Sequence, residues 1–143
     1  MIDPGIKADD PEYNVFVEGS KGGHWVTQSK ECDEPLIGTV WPGPSVFPDF
    51  TALETRKWWG DLFAEFMAKG VDGVWNDMNE IASFQEGGTI PKLSYHPKAD
   101  VSLGGPDSQS RYHNVYGMMM AQASRAGVMK GTKLFFMEYL THQ

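Results

Sequence analysis

The stretch GVDGVWNDMNE (70–80) decides the fold that we expect for this chain. It contains a short apolar run that ends in Trp75 and is followed at once by two carboxylates, Asp77 and Glu80. A brief apolar run after a glycine favours a buried strand, which we place at 71–76. Burying a carboxylate is costly unless another group pairs with it or a reaction uses it. We therefore expect Asp77 at the carboxyl end of this strand, on the rim of a sheet, where chemistry gathers in such folds.

A helix is predicted before this strand. Thr51 and Glu54 have the spacing of a capping box, which satisfies free N–H groups at a helix N-terminus. Apolar residues then recur at helical spacing as far as Gly70, a residue type that commonly ends helices. The pattern predicts one helix over 53–69.

A second helix is predicted over 111–126 and a further strand over 133–140. The helix carries apolar residues at helical spacing, and Gly127 follows it as a C-terminal stop. Residues 1–50 are rich in glycine, proline and aromatic residues and are expected to form a long, mostly irregular segment with a hairpin. The alternation of helices and strands after residue 50 predicts an α/β fold, with parallel strands joined by crossover helices.

Composition excludes several classes of protein. With 143 residues, 41% hydrophobic and 22% charged, the chain has the composition of an ordinary globular domain. A net charge of −7 argues against binding to nucleic acid, whose phosphates require a basic face. No apolar stretch approaches the roughly 18 residues of a membrane span, and no signal peptide is visible at the N-terminus. Cys32 is the only cysteine, so an internal disulfide and a thiolate metal cluster are excluded, and no cofactor is expected.

Three interpretations of Asp77 and Glu80 can be weighed from the residues alone. Carboxylates beside aromatic walls suit a sugar site, because sugar rings present apolar faces and their hydroxyls donate hydrogen bonds. A solvated turn is the alternative, since many turns contain this spacing. A calcium loop is excluded, because Ala82 stands where such a loop needs glycine and Gly88 where it needs glutamate.

Five stretches together resemble glycoside hydrolase family 31, the retaining α-glucosidases and their relatives. They occur in the family's order, and the likeness covers about residues 2–128: IDPGIK (2–7), IGTVWPGPSVFPDFT (37–51), WWGDLFAEF (58–66), WNDMNE (75–80) and HNVYG (113–117). The resemblance implies a partial (β/α)8 TIM barrel that includes about strands three to five with their helices. On this basis 1–143 is a fragment of a catalytic barrel domain, with a long loop or insert at 1–50 and βα units at 51–143.

The resemblance also implies roles for individual residues. Asp77 corresponds to the catalytic nucleophile, and Glu80 to a second carboxylate that supports it. Trp41, Trp75 and Met78 correspond to residues that line the pocket for the terminal glucose. We expect these side chains to converge, with the two tryptophans turned away from solvent.

The implied reaction is cleavage of terminal α-linked glucose from an α-glucoside oligosaccharide by double displacement. The family's general acid/base lies in a later motif that this chain does not contain, so the remainder of the barrel is required and the chain alone is expected to be inactive. A non-catalytic remnant or a carbohydrate-binding fragment of such an enzyme is the alternative. The resemblance favours an extracellular or lysosomal location.

Other conspicuous side chains are expected to be structural. Trp58 and Trp59 lie on the predicted helix and are expected to pack in the core. Asp49 is expected to cap a loop rather than to contact substrate. The histidines without a partner at metal-ligand spacing are expected at surface or loop positions: His24, His96 and His142.

Overall fold

The computed structural model describes residues 1–85 and 87–141, with side chains given as far as Gly131. His142 lies outside the described residues. The elements follow in the order β1 (Ile6–Lys7), α1 (Asn14–Gly22), β2 (Thr27–Ser29), β3 (Cys32–Pro35), β4 (Gly38–Val40), β5 (Gly43–Val46), α2 (Leu53–Asp61), α3 (Phe63–Ala68), β6 (Tyr95–His96), a 3-10 turn (Val101–Leu103), β7 (Asp107–Ser108) and α4 (Gln109–Thr141).

The first 50 residues are more ordered than the sequence predicted. They form helix α1 and two hairpins, β2–β3 and β4–β5. Gly23 ends α1 in a left-handed conformation (φ 61°), which costs glycine little because it has no Cβ. Trp41 and Pro42 form the two-residue turn of the second hairpin, since Val40 pairs with Gly43. The expectation of a mostly irregular segment was therefore wrong, whereas the expectation of a hairpin within it is confirmed.

Both sheets are antiparallel, which differs from the parallel arrangement that we predicted. One sheet has the strand order β1-β5-β4 and the other β3-β2-β6-β7. Within the described residues, parallel pairing occurs only at the isolated bridge between Ile2 and Asn76. The strand predicted over 71–76 is not formed, because a strand requires hydrogen bonds to a neighbour and this run pairs only at its end, where Asn76 bridges Ile2.

The helix predicted over 53–69 is confirmed, apart from a break between α2 and α3 at Leu62. Gly70 follows in a left-handed conformation (φ 81°), as expected of a helix stop. The capping box is not formed. Ala52 is the N-cap residue and makes no side-chain cap, because the Thr51 hydroxyl donates to Asp49 instead.

Helix α4 includes the predicted helix but continues far beyond it. Gly127 lies inside α4, not after it, and faces Gly60 of α2. A Cβ at position 127 would lie 2.3 Å from the Gly60 carbonyl oxygen, so the glycine permits close packing of two helices. The strand predicted over 133–140 was also wrong, because α4 extends to Thr141.

The core lies between α2, α4 and the β4–β5 hairpin. Phe50 contacts Trp59 and Tyr116 edge to face, at centroid distances of 5.1 and 5.2 Å. Trp59 is buried, and Trp58 stacks on His24, so both tryptophans pack within the fold as expected. Both the hairpin and α4 contact the segment around Asp77, the hairpin through Trp41 and Met78 and α4 through Gly117 and Asn79.

Candidate active site

The backbone around Asp77 is held by the first residues of the chain. The Ile2 N–H donates to the Trp75 carbonyl (2.8 Å), and the Asp77 N–H donates to the Ile2 carbonyl (3.0 Å). Asp77 thus follows directly after the parallel bridge, at the carboxyl end of the extended segment. The half-buried Asp77 carboxylate accepts a hydrogen bond from the Met78 N–H through Oδ1 (2.9 Å).

Trp41, Met78 and Phe84 form an aromatic–methionine cluster beside Asp77. The Trp41 indole N–H points at the Met78 sulfur (3.1 Å), and the Trp41 ring meets Phe84 edge to face at 4.8 Å. Met78 has a positive φ of 54°, a conformation that non-glycine residues rarely adopt outside functional or strained sites. The structure thus brings Trp41 and Met78 together across 36 intervening residues.

The two tryptophans are more exposed than we expected. The exposed fraction is 72% for Trp41 and 65% for Trp75. The aromatic–methionine cluster is therefore an open surface on this chain, and further protein would be needed to enclose it. Glu80 is also exposed, and it makes no hydrogen bond or ion pair with the residues described.

Hydrogen bonds between the β4–β5 hairpin and the loop after Asp77 explain why Trp41 reaches the site. The Phe84 N–H donates to the Thr39 carbonyl (2.7 Å). The Thr39 N–H donates to the Ser83 hydroxyl (3.2 Å). These bonds fix the hairpin tip over the turn that begins at Asp77.

Asp3 is a second carboxyl group near Asp77. It follows Ile2 as Asp77 follows Asn76, so the parallel register places the two aspartates as cross-strand neighbours. Asp3 Oδ1 is buried and has no hydrogen-bond partner among the described residues. Burial, followed by the charge of Asp77, raises the pKa of Asp3 above its ordinary value.

Asp49 has a structural role, as expected. It is 1% exposed and accepts hydrogen bonds from Thr51, from His96 Nδ1 (2.8 Å) and from the Lys98 N–H (3.4 Å). His96 is fully buried, and its Nε2 lies 2.7 Å from Gln109 Oε1. The expectation of a surface position for His96 was wrong, because its ring joins the FPDF loop to the start of α4.

Three residues of this region were not predicted from the sequence. Asp3 lies in IDPGIK (2–7), a stretch that carries the family resemblance, and Phe84 follows WNDMNE (75–80) by four residues, but the sequence attached no role to either residue. Ser124, which contacts Asn76 from α4, has no signal in the sequence, since its partners are 48 and 65 residues away.

Neither a metal site nor a membrane-spanning helix is present in the part of the chain that is described. No group of three or more His, Cys, Asp or Glu side chains there could hold a metal ion. None of the helices there combines the length and the apolar character needed to cross a membrane.

Known sequences match this chain along most of its length. The family model described as the TIM-barrel domain of glycosyl hydrolases family 31 matches residues 1–138. Alpha-glucosidase 2 of Bacillus thermoamyloliquefaciens is 38% identical over 130 residues, which are 91% of this chain and 16% of that protein. The lysosomal alpha-glucosidase of Rattus norvegicus is 35% identical over 94% of this chain and 16% of its own length.

Solved structures are similar to the chain as well. The glucosidase II alpha subunit in its Glc1Man2-bound form has a TM-score of 0.75 and 30% identity over 90% of this chain and 13% of that chain. The family 31 alpha-glucosidase of Bacteroides thetaiotaomicron has a TM-score of 0.64 and 39% identity over 91% of this chain and 19% of its own.

The family model and the solved structures therefore identify the chain as part of a (β/α)8-barrel domain. The chain belongs to glycoside hydrolase family 31. It spans about one sixth of the length of the relatives named above.

Proposed function

We propose that this chain supplies the nucleophile of a retaining α-glucosidase-type glycoside hydrolase. Asp77 attacks the anomeric carbon of a terminal α-linked glucose, the bond to the leaving oxygen breaks, and a covalent glycosyl ester forms. Water then hydrolyses the ester, which restores the free carboxylate and retains the α configuration. The substrate class, an α-glucoside oligosaccharide, is inferred from the relatives' names and from the Glc1Man2 bound by one of them.

The position of Asp77 is the observation that carries this proposal. Asp77 is the residue directly after the Ile2–Asn76 bridge, and the next residue, Met78, contacts Trp41. A carboxylate beside an aromatic surface at the end of a barrel segment suits a sugar ring. Trp41, Trp75 and Met78 are proposed to bind the terminal glucose, with Glu80 in a supporting role.

The chain is proposed to contribute about strands three to five of the barrel with their helices. In that arrangement 1–50 is a loop or insert region and 51–143 contains βα units. The remaining units supply the general acid/base and enclose Trp41 and Trp75. Their exposure and that of Glu80 are consistent with a site whose other wall lies outside the chain.

The same exposure favours a second candidate, a non-catalytic fragment that binds carbohydrate through its tryptophans. An open aromatic surface can stack on a sugar ring without any reaction. Covalent labelling distinguishes the two candidates, because only a nucleophile forms a stable ester with an activated sugar.

Labelling with 5-fluoro-α-glucosyl fluoride tests the nucleophile directly. In a protein that carries this chain within a complete barrel, the reagent is expected to add one 5-fluoroglucosyl unit as its C1–F bond breaks and fluoride leaves. The fluorine at C5 slows both formation and hydrolysis of the ester, whereas the good leaving group at C1 keeps formation fast enough for the ester to accumulate. Peptide mapping by mass spectrometry should place the label on Asp77. A label on another carboxylate would overturn the assignment, and an excess of substrate should protect the protein.

The chain of 143 residues, expressed alone, is expected to show no measurable hydrolysis of an aryl α-glucoside. Proton donation to the leaving group contributes about 10²- to 10⁴-fold, and no residue of this chain is assigned that role. Release of the aryl alcohol, followed by absorbance, is the measurement. Turnover by the isolated chain would show that one of its own carboxyl groups donates the proton, and Asp3→Asn would then be the first variant to examine.

A further inference from the structure

The side chain of Asn76 points away from the site and is held by α4. The Ser124 hydroxyl donates to Asn76 Oδ1 (2.7 Å), and the Trp59 indole N–H donates to the Ser124 oxygen (3.0 Å). Ser124 is 2% exposed and Trp59 3% exposed. Because the Ser124 hydroxyl both donates and accepts, its orientation is fixed by two partners, and it joins α2, α4 and the segment that carries Asp77.

The contact between Ser124 and Asn76 holds the backbone next to Asp77 from the face that is turned away from the proposed glucose site. Successive side chains of an extended segment point in opposite directions, so Asn76 faces the helix while Asp77 faces the rim. The backbone of Asp77 is held separately, by the hydrogen bond from its N–H to the Ile2 carbonyl (3.0 Å). Without the Ser124 contact, the Ile2 bridge would remain but Asn76 would lose its fixed position.

We propose that Ser124 is a positioning residue for Asp77 and acts through Asn76. The inference rests on the proposed role of Asp77 as nucleophile. A nucleophile must approach the anomeric carbon within a few tenths of an ångström of the reactive distance, and a misplacement of about 1 Å can cost roughly 10²-fold in rate. Ser124 touches neither the sugar nor the reacting atoms, so it lowers the barrier only by fixing the backbone.

Kinetics of variants in the complete barrel test this role. Ser124→Ala is expected to lower kcat for an aryl α-glucoside by roughly 10- to 100-fold, while KM changes by less than about threefold. Ser124→Thr retains the hydroxyl and should recover most of the lost rate. Asn76→Leu should produce a similar defect, and adding it to Ser124→Ala should cause little further loss, since both remove the same contact.

Ser20, an exposed residue, provides a control that shares the type of hydrogen bond. Its hydroxyl oxygen accepts the Trp25 indole N–H at 3.0 Å, as Ser124 accepts that of Trp59, but its position on α1 has no contact with Asn76. Ser20→Ala should therefore leave kcat unchanged. Hydrogen exchange gives a readout besides activity: the Asp77 amide should exchange about tenfold faster in Ser124→Ala than in Ser20→Ala.

The possible outcomes separate this inference from the proposed function. Equal kcat for Ser124→Ala and Ser20→Ala, or equal exchange of the Asp77 amide, overturns the inference while Asp77 remains the nucleophile. Additive losses in the double variant also overturn it. Turnover that survives Asp77→Ala overturns the proposed function, and the inference fails with it.

Discussion

Asp77→Ala, introduced into a protein that carries this chain within a complete barrel, is expected to lower kcat for an aryl α-glucoside by on the order of 10⁴-fold or more. The proposed mechanism has no first step without a carboxylate that attacks the anomeric carbon. Removal of the Asp77 carboxylate leaves the Ile2–Asn76 bridge in place, because the bridge uses backbone groups. The measurement is the steady-state rate at which the phenol is released.

Azide should restore part of the activity of Asp77→Ala, and the reaction should leave a product that identifies the missing group. A small anion can enter the space that the carboxylate leaves and attack the same face of the sugar, which yields the inverted β-glucosyl azide. The product is identified by NMR spectroscopy. Asp72→Ala is the matched control, because Asp72 is an exposed carboxylate on the same segment and should leave kcat unchanged. Rescue with no azide product, or full activity in Asp77→Ala, would contradict the assignment.

Asp49→Ala is expected to lower the free energy of unfolding by about 3–5 kcal/mol, the typical cost of leaving a buried charged or hydrogen-bonded partner uncompensated. Asp49 accepts hydrogen bonds from the backbone and side chain of Thr51 and from the fully buried His96. Its charge adds to the effect of burial in raising the pKa of Tyr116 well above its usual value. Loss of this carboxylate therefore affects the FPDF loop and α4 together.

Urea denaturation followed by tryptophan fluorescence measures this effect. Asp49→Asn keeps an acceptor of the same shape and should cost less than Asp49→Ala. Asp61→Ala serves as the control, since Asp61 forms only an exposed ion pair with Lys130. The urea concentration at the midpoint of unfolding should hardly change in this variant. Equal midpoints for Asp49→Ala and Asp61→Ala would show that the buried network contributes little to stability.

Local sequence signals predicted helices well but not their ends. The 3.6-residue spacing predicted α2, α3 and the first half of α4, because this pattern depends only on which side of a helix is buried. Gly70 ends a helix, whereas Gly127 allows α4 to approach Gly60. A glycine at a helix stop and a glycine at a helix crossing cannot be told apart without the neighbouring helix.

The candidate site was predicted in part. Trp41 and Met78 were expected to meet on the basis of the family resemblance, and the structure brings them together. The low exposure expected of Trp41 and Trp75 was not found, because their exposure depends on protein that surrounds them and not on their own segments. The sequence does not indicate a role for Asp3, because its proximity to Asp77 arises only from the pairing of their two segments.

The sequence by itself determined the family, the position of Asp77 after a short apolar run and the amphipathic helices around it, since motifs and periodicity are local properties of the chain. Only the tertiary structure decided that His96 is buried against Asp49, that Asp3 neighbours Asp77 and that Ser124 holds Asn76. Each of these contacts joins residues at least 47 positions apart. Such contacts form when hydrophobic burial brings distant segments together, and a single sequence does not record which polar side chains then meet.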